Sequence, residues 1–548
     1  MKLIYKMENR TRRIVIWMPV FLALSIIAGI YLGVILQSKM QLSTKTMTAN
    51  GANKVGMIMS LIDGNYVDTV DTKKIVESAI PEILKQLDPH TVYIPAKDMV
   101  EVGEEMSGNF SGIGVQFSIQ NDTIMVIDVI SGGPSQKLGI RAGDRIVKVN
   151  DSIMAGVKVT NDKVLKKLRG PKGSKVNVSI ARKGFAELIP FEITRGEIPL
   201  TSVDVSYMID NKIGYIKVGR FAERTYAEFM NGVFKLDKAG AVQLIIDLRG
   251  NPGGYLGAVI KMVNEFLDKG ELVVYTEGRT QPRRSFNAEK KGKYLGKKVI
   301  VLVDEYSASA SEIFAGAIQD NDRGTIIGRR TFGKGLVQEQ IPFNDGSALR
   351  LTISRYYTPS GRCIQKSYKN GLEDYYGDLG RRYAHGEFEK KDSIHYSDTL
   401  KYYTRNRRVV FGGGGIMPDI FVPADTSGLS PYYMKLTQKG LAYQYAFDYS
   451  DQNRDELGKL KTGKEFEDYL LQRNILSSFT AYAAKKGIAT DPKGLAVSGK
   501  IIEAQLMAYI ARNIIGEVGF YSVISKIDAT LLEAIKAFDT KDMLVESN

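Results

Sequence analysis

The chain is poor in the residues that carry metal and redox chemistry. Its 548 residues hold one cysteine, Cys363, and three histidines, His90, His385 and His395. A single cysteine excludes an internal disulfide and a cysteine-rich zinc site, and three scattered histidines offer no metal cluster. No internal repeat or long run of like charge is present. Lys and Arg outnumber Asp and Glu by 75 to 61, a formal charge of +14, but the basic residues are dispersed. That argues against a nucleic-acid-binding face. Long hydrophobic runs are absent with one exception. Residues 14–36, IVIWMPVFLALSIIAGIYLGVIL, are 23 residues without a charge. At ~1.5 Å per residue they span ~34 Å, enough for a ~30 Å hydrocarbon core. Lys2, Lys6, Arg10, Arg12 and Arg13 precede the run, against Glu8 alone. The positive-inside rule leaves that end in the cytoplasm and sends the rest across. The run is longer than a signal-peptide core and no A-x-A site follows it, so the expectation is an uncleaved single-pass anchor.

The remainder is too long for one core, so several domains are expected. Residues 41–50 read as a polar linker. Two amphipathic patterns follow, one through Val55, Ile58, Met59 and Ile62, the other through Ile75, Ala79, Ile83, Leu84 and Leu87. They predict a small helical collar within 50–107. From 108 to 190 short strands and turns predominate, with a helix over 161–168. From 191 to 425 strands and helices alternate, the sign of an α/β layer structure. Residues 366–408 interrupt that rhythm with seven tyrosines and charges of both signs. They read as a solvated surface insertion. Residues 426–548 are mainly helical, with Ile502, Leu506, Tyr509, Ile510 and Ile514 on one face.

Three stretches of the α/β region carry chemistry. GRRTFGKG, 328–335, is one residue short of a phosphate-binding loop. Such a loop enters a helix and ends in Ser or Thr. Here Gly335 holds that position and LVQEQIP, 336–342, alternates as a strand. Lys334 therefore reads as a lysine whose amine can be made neutral by burial, in a loop where Phe332 can exclude water. VIVLVDEYSASASE, 299–312, is a strand running into a helix. A serine at such an elbow is exposed at the positive helix end. Ser307, Ser309 and Ser311 are the alternatives, and Ser309-x-x-Glu312 also reads as a capping box. DLRGNPGG, 247–254, is a third strand end, whose glycine amides can face the same point. Sites of α/β sheets form at the carboxyl ends of strands.

YSASASEIFAGAIQDNDRG with GRRTFGKGLVQ resembles the carboxyl-terminal processing, or tail-specific, serine peptidases. DLRGNPGG, RYYTPSGRCIQ (355–365) and LDPHTVYI (87–94) extend the resemblance over about 55–425. It implies a ClpP/crotonase-like α/β protease core with Ser309 as nucleophile, Lys334 as base and Gln338 orienting the lysine. Gly253 and Ala310 are the implied oxyanion donors, with Gly254 the alternative to Gly253. Region 108–190 resembles a PDZ domain, mainly β. There Gly112, Ile113, Gly114 and Val115 match the carboxylate-binding loop, and Ile113, Val115 and Leu165 could line the side-chain pocket. Arg169 reads as a helix-end cation or a sensor of the bound carboxylate.

The fold expected is multidomain: transmembrane anchor (1–40), helical region (50–107), PDZ domain (108–190), protease core (191–425) and helical C-terminal region (426–548). The activity expected is serine endopeptidase of the Ser-Lys type, acting on proteins or peptides with apolar C-termini. The resemblance implies no metal, cofactor or nucleic acid, and a homo-oligomer stays open. No histidine stands near the catalytic motifs in sequence. The expected location is a bacterial inner membrane with the body in the periplasm. The rival is a catalytically dead PDZ scaffold.

Overall fold

The structure, a computed structural model, describes residues 17–35, 54–120, 122–130, 132–394 and 400–540. The basic tail, the 41–50 linker and His395 lie outside the described residues. The chain divides into two compact units, 1–79 and 80–548. In the first, Trp17–Ile35 is a 19-residue apolar helix, long enough to cross a membrane, and a signal sequence has the same features. Lys54–Asn65 follows as an amphipathic helix with no buried residue.

Within the second unit, five strands form an antiparallel sheet in the order Val115–Gln120, Thr123–Val129, Arg145–Val149, Lys175–Ala181, Ile189–Thr194, with Ser152–Ile153 paired to the third. Ile124 and Val126 point into its core with Ile146, Val178 and Ile180. The alternate residues Met125 and Ile127 point out and pack on Phe447 of the helix Leu441–Gln452. Val115–Gln120 is an edge strand.

A six-stranded sheet has the order Val203–Met208, Ile213–Val218, Gln243–Asp247, Lys298–Val303, Thr325–Gly328, Ile420–Phe421, parallel after its first antiparallel pair. Both faces are apolar, as a buried parallel sheet requires. Ile216, Leu244, Ile246, Val299 and Val301 face the helices Thr225–Lys238, Leu256–Asn264 and Ala310–Asp320. Tyr215, Ile245, Ile300 and Leu302 face the C-terminal helix Ala529–Ala537. Strand Leu272–Glu277, which the sequence rhythm puts between two strands of this sheet, joins a second, antiparallel sheet instead. There it pairs with Ala348–Tyr357, which also carries Val92–Ile94 and the hairpin partner Leu336–Pro342.

The described part of 366–408 is mostly exposed, but the segment is also anchored. Helix Leu372–Ala384 buries Tyr375 and Arg382. Arg382 donates to the carbonyls of Arg330 (2.7 Å) and Thr331 (3.2 Å), and Glu387 binds both arginines. These few buried charges hold the segment against the loop that precedes Lys334. The C-terminal helices form their own core around the long helix Pro492–Ile524, which buries Ile502, Leu506 and Ile510 and kinks at Ile515 and Gly516.

Candidate active site

Strand Lys298–Val303 leaves the sheet and turns at once into helix Ala310–Asp320. Ser309, at the junction, has φ 55° and ψ −112°, a strained geometry for a residue with a side chain. The three serines of the elbow separate clearly. Ser307 is fully buried and donates to the Leu248 carbonyl at 2.8 Å; Ser311 is fully buried and donates to the Asn251 carbonyl at 2.9 Å. Ser309 is half-buried and lines a cavity of about 510 Å³.

Glu312 does more than reach back to the helix start. Its carboxylate accepts from the N–H groups of Ser309 (2.8 Å), Gly333 (2.7 Å) and Lys334 (2.8 Å), and from the Thr331 hydroxyl (2.5 Å). One buried side chain thus ties the serine elbow to the lysine loop. The Tyr356 hydroxyl adds a second tie, 3.1 Å from the Ser309 carbonyl oxygen and 2.5 Å from that of Lys334. Burial pushes the Glu312 carboxyl up to about 7 against the pull of its four donors. Lys334 lines the same cavity as Ser309. Burial lowers its amine below 10.5 and the Arg350 charge lowers it further; Glu312 and Asp88 oppose. The sequence signal for Glu312 was read only as helix capping, because its other partners lie 19 to 22 residues downstream.

The turn after Gln243–Asp247 comes against the elbow. A Cβ on Gly253 would lie 2.7 Å from the Ser309 Cβ and 2.8 Å from the Ala310 nitrogen, so only glycine fits. The expectation for its amide needs correction. The Gly253 N–H is donated to Asn251 Oδ1 at 2.8 Å and is occupied in this structure. Phe221 pairs with the groups on either side of Gly254, through Gly253 O (3.0 Å) and Tyr255 N (2.8 Å). That turns the Gly254 N–H the other way. Among the described residues neither Gly254 N–H nor Ala310 N–H has a protein acceptor, and both residues line the cavity.

Gln338 lines the cavity too, but its amide nitrogen bonds the Thr352 hydroxyl, 3.3 Å, rather than Lys334. Thr352 in turn donates to Asp88 at 3.0 Å, so the 87–94 motif stands behind Gln338. This brings a histidine close, contrary to the sequence reading. His90 hydrogen-bonds Tyr375 at 2.9 Å, and Tyr375 packs edge-on against Phe332 at 5.8 Å. Burial, with the charge of Lys334 next, holds His90 down at about 4. It is neutral and outside the cavity. Spacing along the chain could not reveal it, because the contacts run through residues 285 positions away.

In the antiparallel domain, Gly112 pairs with Gly196, Gly114 has φ 77° and Val115 opens the edge strand. Ile113 is a core residue, 2% exposed, rather than a pocket wall. Leu165 is half-buried on helix Asn161–Leu168, whose Val164 and Leu168 point inward. Arg169 ends that helix, yet its side chain already holds a carboxylate, Glu104 at 3.3 Å, and lies over the Phe110 ring at 4.5 Å.

A half-buried serine on a strained strand-to-helix elbow shares its cavity with a partly buried lysine and with amides that lack a protein acceptor, the set of groups that serine hydrolase chemistry uses. The comparisons with known proteins make this specific. Residues 212–374 match the model of peptidase family S41, residues 111–190 that of the PDZ domain, and residues 32–98 that of the activating protease CtpB N-terminal domain. Residues 432–516 match a family of unknown function. A carboxy-terminal-processing protease of Bartonella bacilliformis is 35% identical over 62% of this chain and 79% of its own length. Carboxy-terminal processing protease CtpB of Bacillus subtilis is 34% identical over 63% and 73%. The solved structure of a photosystem II D1 C-terminal processing protease is 26% identical over 58% of this chain and 91% of its own, with a TM-score of 0.34. The chain belongs to the carboxy-terminal processing proteases of peptidase family S41, and it is a serine peptidase equipped with a PDZ domain.

Proposed function

We propose that Ser309 is the nucleophile, Lys334 the general base, and the amides of Gly254 and Ala310 the oxyanion donors. The observation that carries this reading is the shared cavity: Ser309, Ala310, Lys334, Gln338 and Gly254 come from three separate stretches and line one space of about 510 Å³. Neutral Lys334 takes the Ser309 hydroxyl proton as Oγ attacks the scissile carbonyl carbon. The carbonyl pair moves onto oxygen, where the two amides meet it. The C–N bond then breaks, the lysine returns the proton to the leaving amine, and water releases the acyl-enzyme by the same steps. With its nitrogen on Thr352, Gln338 has its carbonyl oxygen left to orient Lys334.

The substrate's free C-terminus docks on the PDZ domain. The edge strand Val115–Gln120 can accept one more strand, and the Ile113 and Gly114 N–H groups have no protein acceptor among the described residues. Val115 and Leu165 flank that groove. Arg169 serves the loop through Glu104 rather than by direct contact with the carboxylate. Domain limits are placed at about 50, 108 and 426, and the limit expected at 191 is moved past Thr194, because strand Ile189–Thr194 pairs with Lys175–Ala181 in the PDZ sheet. Helix Trp17–Ile35 acts as an uncleaved anchor, with the basic tail cytoplasmic and the peptidase outside the cytoplasm. The test is hydrolysis of a peptide with an apolar free C-terminus. Ser309→Ala and Lys334→Ala are expected to lower kcat by about 10³-fold or more, and C-terminal amidation to raise KM with little change in kcat. Wild-type rates in either variant would eliminate the reading.

A further inference from the structure

The turn that brings Gly253 and Gly254 to Ser309 is held from outside the protease core. Arg249 donates through Nη1 and Nη2 to Asp528 Oδ1 (2.9 Å) and Oδ2 (2.7 Å), a two-pronged ion pair across 279 residues of sequence. Its Nε and Nη2 also bond the fully buried Asp247, at 3.0 and 2.7 Å. Asp528 caps helix Ala529–Ala537 by accepting the Leu531 N–H at 3.1 Å, and Leu531, Ala534 and Ala537 are packed on the sheet. These groups meet around a polar cavity of about 250 Å³ walled by Tyr207, Tyr215, Lys217 and Tyr521.

From Arg249 the turn has little freedom. The Gly250 N–H bonds Asp304 Oδ1 at 2.9 Å. The Asn251 side chain bonds the Val218 carbonyl (2.8 Å) and the Gly253 N–H (2.8 Å), while its own carbonyl accepts from Ala308 (3.0 Å) and Ser311 (2.9 Å). These bonds fix the turn to the protease core, and Arg249, at its start, is where the C-terminal region grips the same turn. Two-pronged charge-assisted pairs fix orientation as well as distance. Arg249 keeps Asp247 if Asp528 is lost, so what Asp528 adds is the second direction of pull.

We propose that the C-terminal helical region is a positioning element for catalysis: Asp528, through Arg249, sets the height of the 249–254 turn against Ser309. This rests on the reading that this turn supplies an oxyanion amide. Asp528 touches neither substrate nor the reacting atoms. An oxyanion donor moved by about 1 Å costs on the order of a hundredfold in rate.

The experiment uses the full chain with Asp528→Asn and Asp528→Ser, both residues that can still cap the helix. For each, kcat, KM, the thermal midpoint and the affinity of a peptide aldehyde, whose adduct carries the oxyanion, are measured. The expected result is kcat about tenfold lower in Asp528→Asn and up to a hundredfold lower in Asp528→Ser. KM is expected within twofold, with aldehyde affinity falling in step with kcat/KM. Wild-type kcat in both variants overturns the proposal, as does a loss of activity that tracks a falling thermal midpoint with aldehyde affinity unchanged. Ser309→Ala separates the two levels. If it is inactive while the Asp528 variants are normal, only the positioning role fails; if it is active, the assignment of the site fails first.

Discussion

Glu312 and Lys334 face the same problem: each is charged in its ordinary state, and burial disfavours both charges. For the lysine this is useful, since only the neutral amine can take the serine proton. Arg350 contributes to that depression. The kcat/KM profile is therefore expected to rise along a limb whose midpoint lies below 10.5, and Arg350→Gln to move the limb to higher pH. A limb unmoved by that change would separate Lys334 from the titration. His90 offers a stability test. It is held at about 4 in the folded chain against 6.5, so the unfolded chain binds more protons between these values and stability rises with pH across that window, by at most ~3 kcal/mol. Glu312, held at about 7 against 4.5, acts in the opposite sense, and the wild-type profile is flattened. The difference between wild type and His90→Gln isolates the histidine: it should move in favour of wild type from pH 4 to 7 in thermal unfolding. A difference independent of pH would mean that His90 is charged as usual. The local patterns mark the serine elbow and the lysine loop but leave Ser307, Ser309 and Ser311 open, and only the family resemblance singles out Ser309 with Lys334. The surroundings of His90 and Glu312 are not legible, because partners far along the chain define them, and the occupied Gly253 amide is not because it depends on the conformation of its own turn, where Asn251 folds back on it.

Among the elements, the glycine turn and the packing of the PDZ sheet are the most exacting. Gly254 has φ 138°, and a Cβ there would lie 2.0 Å from the Phe221 carbonyl oxygen. Backbone cannot yield that distance cheaply, so Gly254→Ala is expected to lower kcat about a hundredfold, measured on the same peptide. Near-normal kcat would show that the turn is not held as described. Met125, Ile127 and Phe447 form a small apolar cluster between the PDZ sheet and helix Leu441–Gln452. Phe447→Ala is expected to cost about 3 kcal/mol locally and to loosen the PDZ domain. Hydrogen exchange in strand Thr123–Val129 should rise while that of Lys298–Val303 stays unchanged; equal exchange in both variants would contradict a docked PDZ domain. The strand before Ser309 and the helix after it are legible as a continuous apolar run and a fully buried helix rather than by a period. The placement of Leu272–Glu277 in the second sheet is not legible, because alternation gives a strand's faces and not its neighbours. In the charged segment 366–408 the anchoring side chains are hidden for a related reason: composition cannot tell a solvated arginine from one paired with Glu387.

Within the second unit, three segments distant in sequence support the elements around the cavity. Residues 87–94 stand behind Gln338, helix Leu372–Ala384 backs Phe332, and helix Ala529–Ala537 holds Arg249. The changes of periodicity along the chain suggest an order of domains, whereas the contacts of these three segments are not legible, since sequence spacing carries no information on which surfaces meet. The central claim is that one lysine activates one serine, and the most direct measurement is covalent labelling. A serine-reactive peptidyl phosphonate is incubated with wild type and with Lys334→Ala, and the adduct is located by mass spectrometry. The account expects a single adduct on Ser309, forming faster as pH rises, and at least about 10³-fold slower without the lysine. An adduct on another residue, or equal rates in the two proteins, would contradict it.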